Sequence, residues 1–156
     1  MRLSFPDQHG VLHGKTIVAA ELDGAFCNGF TAPSSLLAKD TSHRTVFPLF
    51  TRGGGFDMPE MEGAADVLLV PDPQTFKILP WSPHSGWLIC DLYFADGRTI
   101  PFGTRQLLRR VLDGLNQRGF DYIAGLEVEC HIFKLHDRDL AASDAGSRVL
   151  RPTSAC

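Results

Sequence analysis

Between residues 66 and 102 the apolar residues come in short runs, each ended by proline or an Asp-Gly pair. Residues 66–70 stop at Pro71-Asp72-Pro73, and residues 76–79 stop at Pro80. Residues 87–94 lead through Asp96-Gly97 into residues 99–102. Proline cannot donate to a strand ladder and is costlier still inside a helix, while Asp-Gly is a preferred pair for a tight hairpin turn. Long helices are therefore excluded here, and the pattern predicts a sheet of short strands.

The preceding residues extend that sheet. Residues 2–5 and 16–20 are expected to be strands joined by a turn around Asp7-Gln8-His9-Gly10. Gly10-Val11-Leu12-His13-Gly14-Lys15-Thr16 superficially resembles a phosphate-binding loop, but its glycines are one residue too close together, and Lys-Thr leads into a β-branched run. A hairpin connection fits better. Residues 21–28 predict a short helix that Gly29 stops. Residues 30–56, with Pro33, Pro48 and Gly53-Gly54-Gly55, predict a long loop holding at most one strand, over residues 45–50. Asp91, the charge inside the strand at 87–94, is expected to be a hydrogen-bonded edge residue. The fold class is α+β, with an antiparallel or mixed sheet.

After residue 103 the period changes. Thr104 can cap a helix whose apolar stripe is Leu107, Leu108, Val111, Leu112 and Leu115, with Gly119 placed to end it. Arg105, Arg109 and Arg110 are expected on its solvated face. Residues 121–135 then predict a strand with Glu127, Glu129 and His131 on one face and Val128, Cys130 and Ile132 on the other. Paired carboxylates repel unless water, a proton or a cation compensates, and a divalent metal is the simplest candidate. His131 is expected to pack or to support the site rather than ligate. One helix and one strand cannot bury a core, so two domains are expected: 1–102, and 103–156 as the start of an incomplete one.

A formal net charge of −3 gives no support for a nucleic-acid or anionic-membrane surface. No apolar run approaches the ~20 residues a membrane helix needs. Cys27, Cys90, Cys130 and Cys156 lack paired spacing, so neither a zinc site nor a disulfide framework is expected. The chain reads as cytoplasmic, with reduced thiols.

Residues 66–73 (Asp-Val-Leu-Leu-Val-Pro-Asp-Pro) with Thr75, then Leu79-Pro80-Trp81, resemble the N-terminal β-grasp domain of glutamine synthetases. The hairpin around residues 10–16 is similar too. Cys90-Asp91, Asp96-Gly97 and the helix from Arg105 resemble the passage into their catalytic domain, and residues 125–133 (Gly-Leu-Glu-Val-Glu-Cys-His-Ile-Phe) resemble its first metal-binding strand. The resemblance covers residues 2 to about 135.

It implies the N-terminal part of an ATP-dependent ligase that activates glutamate as an acyl phosphate and lets ammonia or another amine displace phosphate. It implies Mg²⁺ or Mn²⁺, with Glu127 serving the metal on the ATP side and Glu129 the metal on the glutamate side. It further implies a homo-oligomeric ring in which the loop around Ser34 and Ser35 completes a neighbour's active site. Ammonia-using members carry an acid in that loop, whereas Thr31-Ala32-Pro33 supply none, so an alkylamine or polyamine fits equally well. This fragment alone is expected to be inactive. The alternative is a stand-alone β-grasp binding module without catalysis.

Overall fold

The short-strand pattern is realised as one five-stranded mixed sheet in a computed structural model that describes residues 1–132 of the 156. Its strands are β1 (Arg2–Pro6), β2 (Leu12–Thr16), β3 (Phe30–Pro33), β4 (Asp66–Leu79) and β5 (Ser82–Tyr93). They lie in the order β2-β1-β5-β4-β3, with β1 parallel to β5 and every other pair antiparallel. Two α-helices, α1 (Leu22–Asn28) and α2 (Thr104–Asn116), complete the regular structure. Contacts divide the chain into two units, Met1–Asp121 and Tyr122–Cys156, and α2 belongs to the first.

The β1–β2 hairpin forms, but its return strand starts four residues earlier than expected. The cause is Asp7. Its Oδ1 accepts the N–H of His9 at 2.8 Å and of Val11 at 2.9 Å, while Gly10, at φ +77°, donates to the Asp7 carbonyl. The turn therefore closes by Val11, and β2 pairs Phe5 with His13 and Leu3 with Lys15. Gly14 lies opposite Ser4, where an added Cβ would sit 2.0 Å from the Leu3 carbonyl oxygen, so only glycine allows this approach. Residues 10–16 are thus turn and strand, with no helix N-terminus to hold phosphate.

The two strands expected over residues 66–70 and 76–79 are one continuous β4. Pro71 sits opposite Cys90, and the regular register breaks between Asp72 and Lys77 and again between Ile78 and Leu79. At the first break the Thr75 hydroxyl stands in for the ladder, accepting the Ile89 N–H at 2.8 Å and donating to the Asp72 carbonyl at 2.7 Å. A bulge of this kind accommodates Pro73 without ending the strand. The expected strand at residues 99–102 is reduced to a single bridge between Tyr93 and Thr99. Within the expected long loop, residues 45–50 form no strand. Instead Phe30–Pro33 pairs with β4, and Ser34–Ala38 forms a 3-10 turn.

Alternation along the strands builds the core. Leu3, Phe5, Val67, Leu69, Leu88, Cys90 and Leu92 are buried on one sheet face. Ala25 of α1, together with Leu37, Ala38, Leu49 and Met61 from the connection to β4, belongs to the same cluster. Full burial of each large apolar side chain contributes about 1.5–3 kcal/mol relative to exposure. Helix α2 behaves differently. Gly103, not Thr104, occupies its N-cap position, and Leu107, Leu108 and Val111 of its apolar stripe are exposed.

The strand expected over residues 121–135 is not formed across residues 121–132, and 133–135 lie outside the described residues. A strand exists only through ladder hydrogen bonds to a neighbour, and no described strand pairs with this stretch. Among the described residues, no helix is long and apolar enough to cross a membrane.

Candidate functional site

Glu127 and Glu129 are both exposed in that strandless stretch, so no pleat fixes them on a common face. No group of three or more His, Cys, Asp or Glu able to hold a metal occurs among the described residues. Two carboxylates are hard oxygen donors of the right chemistry for Mg²⁺ or Mn²⁺, but they are only part of a six-donor set.

Ser34 and Ser35 open the 3-10 turn directly after β3. Ser34 is completely buried, its N–H donates to the Ala65 carbonyl at 3.0 Å, and its Oγ has no partner among the described residues. Ser35 is half-buried. Just before them, Ala32 packs into the core while Thr31 and Pro33 face outward, so no acid stands in this segment.

The densest polar arrangement is one the sequence reading divided among separate, ordinary roles. Asp91 is central, because β5 is flanked by β1 and β4, so the expected edge position is corrected. It points away from Cys90 and Leu92 and meets α2. Arg105 Nε donates to Asp91 Oδ1 at 2.9 Å, and Arg109 donates to Asp91 Oδ2 at 2.9 Å. Arg105 also pairs with Asp72 of β4, and Arg109 approaches the same carboxylate at 3.6 Å. The Asp91 side chain is 10% exposed and that of Arg105 is 23% exposed. Arg110 is exposed as expected, whereas Arg105 and the half-exposed Arg109 are ion-paired to the sheet. Their i,i+4 spacing, which places both on one helix face, was the available signal.

Asp7 forms a second centre, buried at 2% exposure, with Oδ2 at 2.9 Å from His13 Nε2. Burial pushes its carboxyl up, but hydrogen bonds from His13 and from the backbone of His9 and Val11 outweigh this, and the net shift is downward. A depressed carboxyl contributes stability that is present above the unfolded value of ~3.9 and lost as pH falls through the folded value. Asp7→Asn is expected to be less stable than the parent at pH 7. In urea melts that gap should narrow as pH drops from about 4 toward 2. A constant gap would refute the assignment.

Cys90 is no nucleophile: burial, then the neighbouring Asp91 charge, pushes its thiol up to about 12. The other described cysteines, Cys27 and Cys130, are free and exposed.

Comparison with known proteins gives the class to which this α+β fold belongs. A gamma-glutamylanilide synthase of Acinetobacter sp is 34% identical over 155 residues, covering 97% of this chain and 31% of that protein. A glutamine synthetase of Mycobacterium tuberculosis (strain ATCC 25618 / H37Rv) is 31% identical over 144 residues, covering 86% and 27%. A solved GmaS/ADP complex superposes with a TM-score of 0.55 at 29% identity, covering 75% of this chain and 23% of that one. No protein-family model matches. The chain belongs to the glutamine synthetase family, to whose N-terminal portion it corresponds. It spans between a quarter and a third of the length of these curated relatives.

Proposed function

We propose that the chain is the N-terminal part of an ATP-dependent ligase. That ligase joins the γ-carboxyl of glutamate to an amine, giving a γ-glutamyl amide, ADP and phosphate. The observation that carries this reading is the match to a gamma-glutamylanilide synthase along 97% of the chain. In this reading residues 1–102 are the β-grasp domain and residues 103–156 begin the catalytic domain. The hairpin, the helix after it, and the parallel pairing of β1 with the last strand all support the β-grasp assignment.

Glu127 and Glu129 would supply carboxylate oxygens to Mg²⁺ or Mn²⁺. Such an ion shields phosphate charge during transfer. In the longer protein these two residues need a sheet that supplies their missing alignment, so this fragment alone is inactive. Ser34 and Ser35 would lie in the loop that completes a neighbouring subunit's site within a homo-oligomeric, cytoplasmic assembly. With no acid among Thr31, Ala32 and Pro33 to bind and deprotonate ammonium, we favour an organic amine over ammonia.

The test is phosphate release by the natural full-length protein with ATP, glutamate and a panel of ammonia, alkylamines, polyamines and arylamines. Release is expected with at least one organic amine, with little from ammonia and none from residues 1–156 alone. Glu129→Ala should lower turnover at least 100-fold, by the ~2.7 kcal/mol typical of a lost electrostatic stabiliser. No glutamate-dependent release with any amine would refute the ligase reading, and a clear preference for ammonia would refute its amine assignment.

A further inference from the structure

An open cleft of about 350 Å³ runs along β1 and β2, a volume at the small end of ligand clefts. Strand register explains its walls. Arg2 lies opposite Thr16 and Ser4 opposite Gly14, and directly opposed residues share a sheet face. These four positions therefore lie on the face away from the fully buried Leu3 and Phe5. Gly14 has no side chain to fill the space across from Ser4. Lys15 of the outermost strand and Ser85 of β5 complete the polar lining. Arg2 and Lys15 are exposed, and neither side chain has an ion-pair or hydrogen-bond partner among the described residues. The same holds for the hydroxyls of Ser4 and Thr16. No carboxylate lines the cleft. His13 also borders it, and the Asp7 carboxylate behind His13 is committed to that ring and to the His9 and Val11 N–H groups. The run Gly14-Lys15-Thr16 thus returns in another role. It lacks the helix N-terminus of a phosphate-binding loop and stands on a strand instead.

We propose that this cleft binds a small oxyanion carrying two negative charges, the chemistry shared by phosphate and a short dicarboxylate. Arg2 supplies a planar guanidinium fork that fits two oxygens at once, and Lys15 supplies a second cation. The Ser4 and Thr16 hydroxyls supply two further donors. Two unengaged cations and two unengaged hydroxyls converge with no competing carboxylate, which selects an anion over a cation or an apolar ligand. Because both cations are exposed, solvent screening holds the affinity in the millimolar range. The cleft shares no residue with Glu127, Glu129 or the Ser34-Ser35 turn, so the site does not rest on the ligase reading.

The test is a titration of isotope-labelled residues 1–156, followed by amide chemical shifts at neutral pH. Inorganic phosphate and succinate form separate arms, with chloride holding the ionic strength constant. Saturating shifts are expected at the amides of Ser4, Gly14 and Thr16, while the buried Ile100 amide stays in place. The arm that saturates at the lower concentration tells a phosphoryl site from a carboxylate site. The double variant Arg2→Gln, Lys15→Gln should raise the half-saturating concentration at least about tenfold, the effect of losing charge-assisted hydrogen bonds. An unmoved Ile100 amide checks that it folds as the parent does. Lys15→Gln alone, on the outermost strand, should weaken binding in the same direction and serves if Arg2→Gln disturbs β1. Shifts that grow without saturating in both arms, or unchanged half-saturation in the variants, would overturn the site. No ligase activity is read, so a failed amine assay leaves this result standing, and the reverse holds too.

Discussion

Replacing Asp91 by alanine is expected to lower the unfolding free energy by about 3 kcal/mol, the low end for breaking a buried ion pair by removing one partner. Two guanidinium groups lose a nearly buried acceptor at once, and Arg105 keeps only Asp72. Arg109→Ala removes a half-exposed partner from the same carboxylate, and solvent screening should hold its cost below about 1 kcal/mol. Urea denaturation of the two variants measures the contrast. Hydrogen exchange should add that Asp91→Ala frees the amides of α2 well before those of β1. Equal costs would mean that the arginines are held by something other than Asp91.

Phe5→Ala is expected to cost about 3–5 kcal/mol, the usual range for truncating a fully buried phenylalanine. The ring is 0% exposed, sits on β1 between β2 and β5, and lies 5.7 Å from the His13 ring. Its loss therefore opens a cavity and removes a ring packed against His13. Phe5→Leu, which refills most of the volume, should recover more than half of the stability in the same melts. A cost near 1 kcal/mol for Phe5→Ala would show that the core collapses around the gap.

The sheet was legible in the sequence because Pro80 and Asp96-Gly97 do mark the turns that end β4 and follow β5. Helix α2 was legible because its apolar stripe repeats at the helical period. Errors arose where tertiary partners decide. Pro71 and Pro73 looked like terminators, yet a threonine hydroxyl repairs the ladder beside them. The β3 strand was hidden because only pairing with β4 makes Phe30–Pro33 extended. Over residues 121–132 the error ran the other way. A strand-like pattern was present without a described strand to pair with, so Glu127 and Glu129 could be singled out from sequence but not aligned by this structure. The Asp72–Asp91–Arg105–Arg109 network was hidden for a third reason: its halves lie more than ten residues apart, and each half alone looks unremarkable.

That network has a consequence for geometry. A helix attached through a greasy stripe can roll slightly and lose little, since dispersion contacts have no strong direction. α2 is held instead by guanidinium forks, whose planar donors fit a carboxylate in few orientations. An α-helix turns about 100° per residue, so a roll of even one position would carry both arginines away from both acids. The sheet thus fixes the azimuth of α2 as well as its location, and with it the direction in which residues 117–121 of the same unit leave the helix.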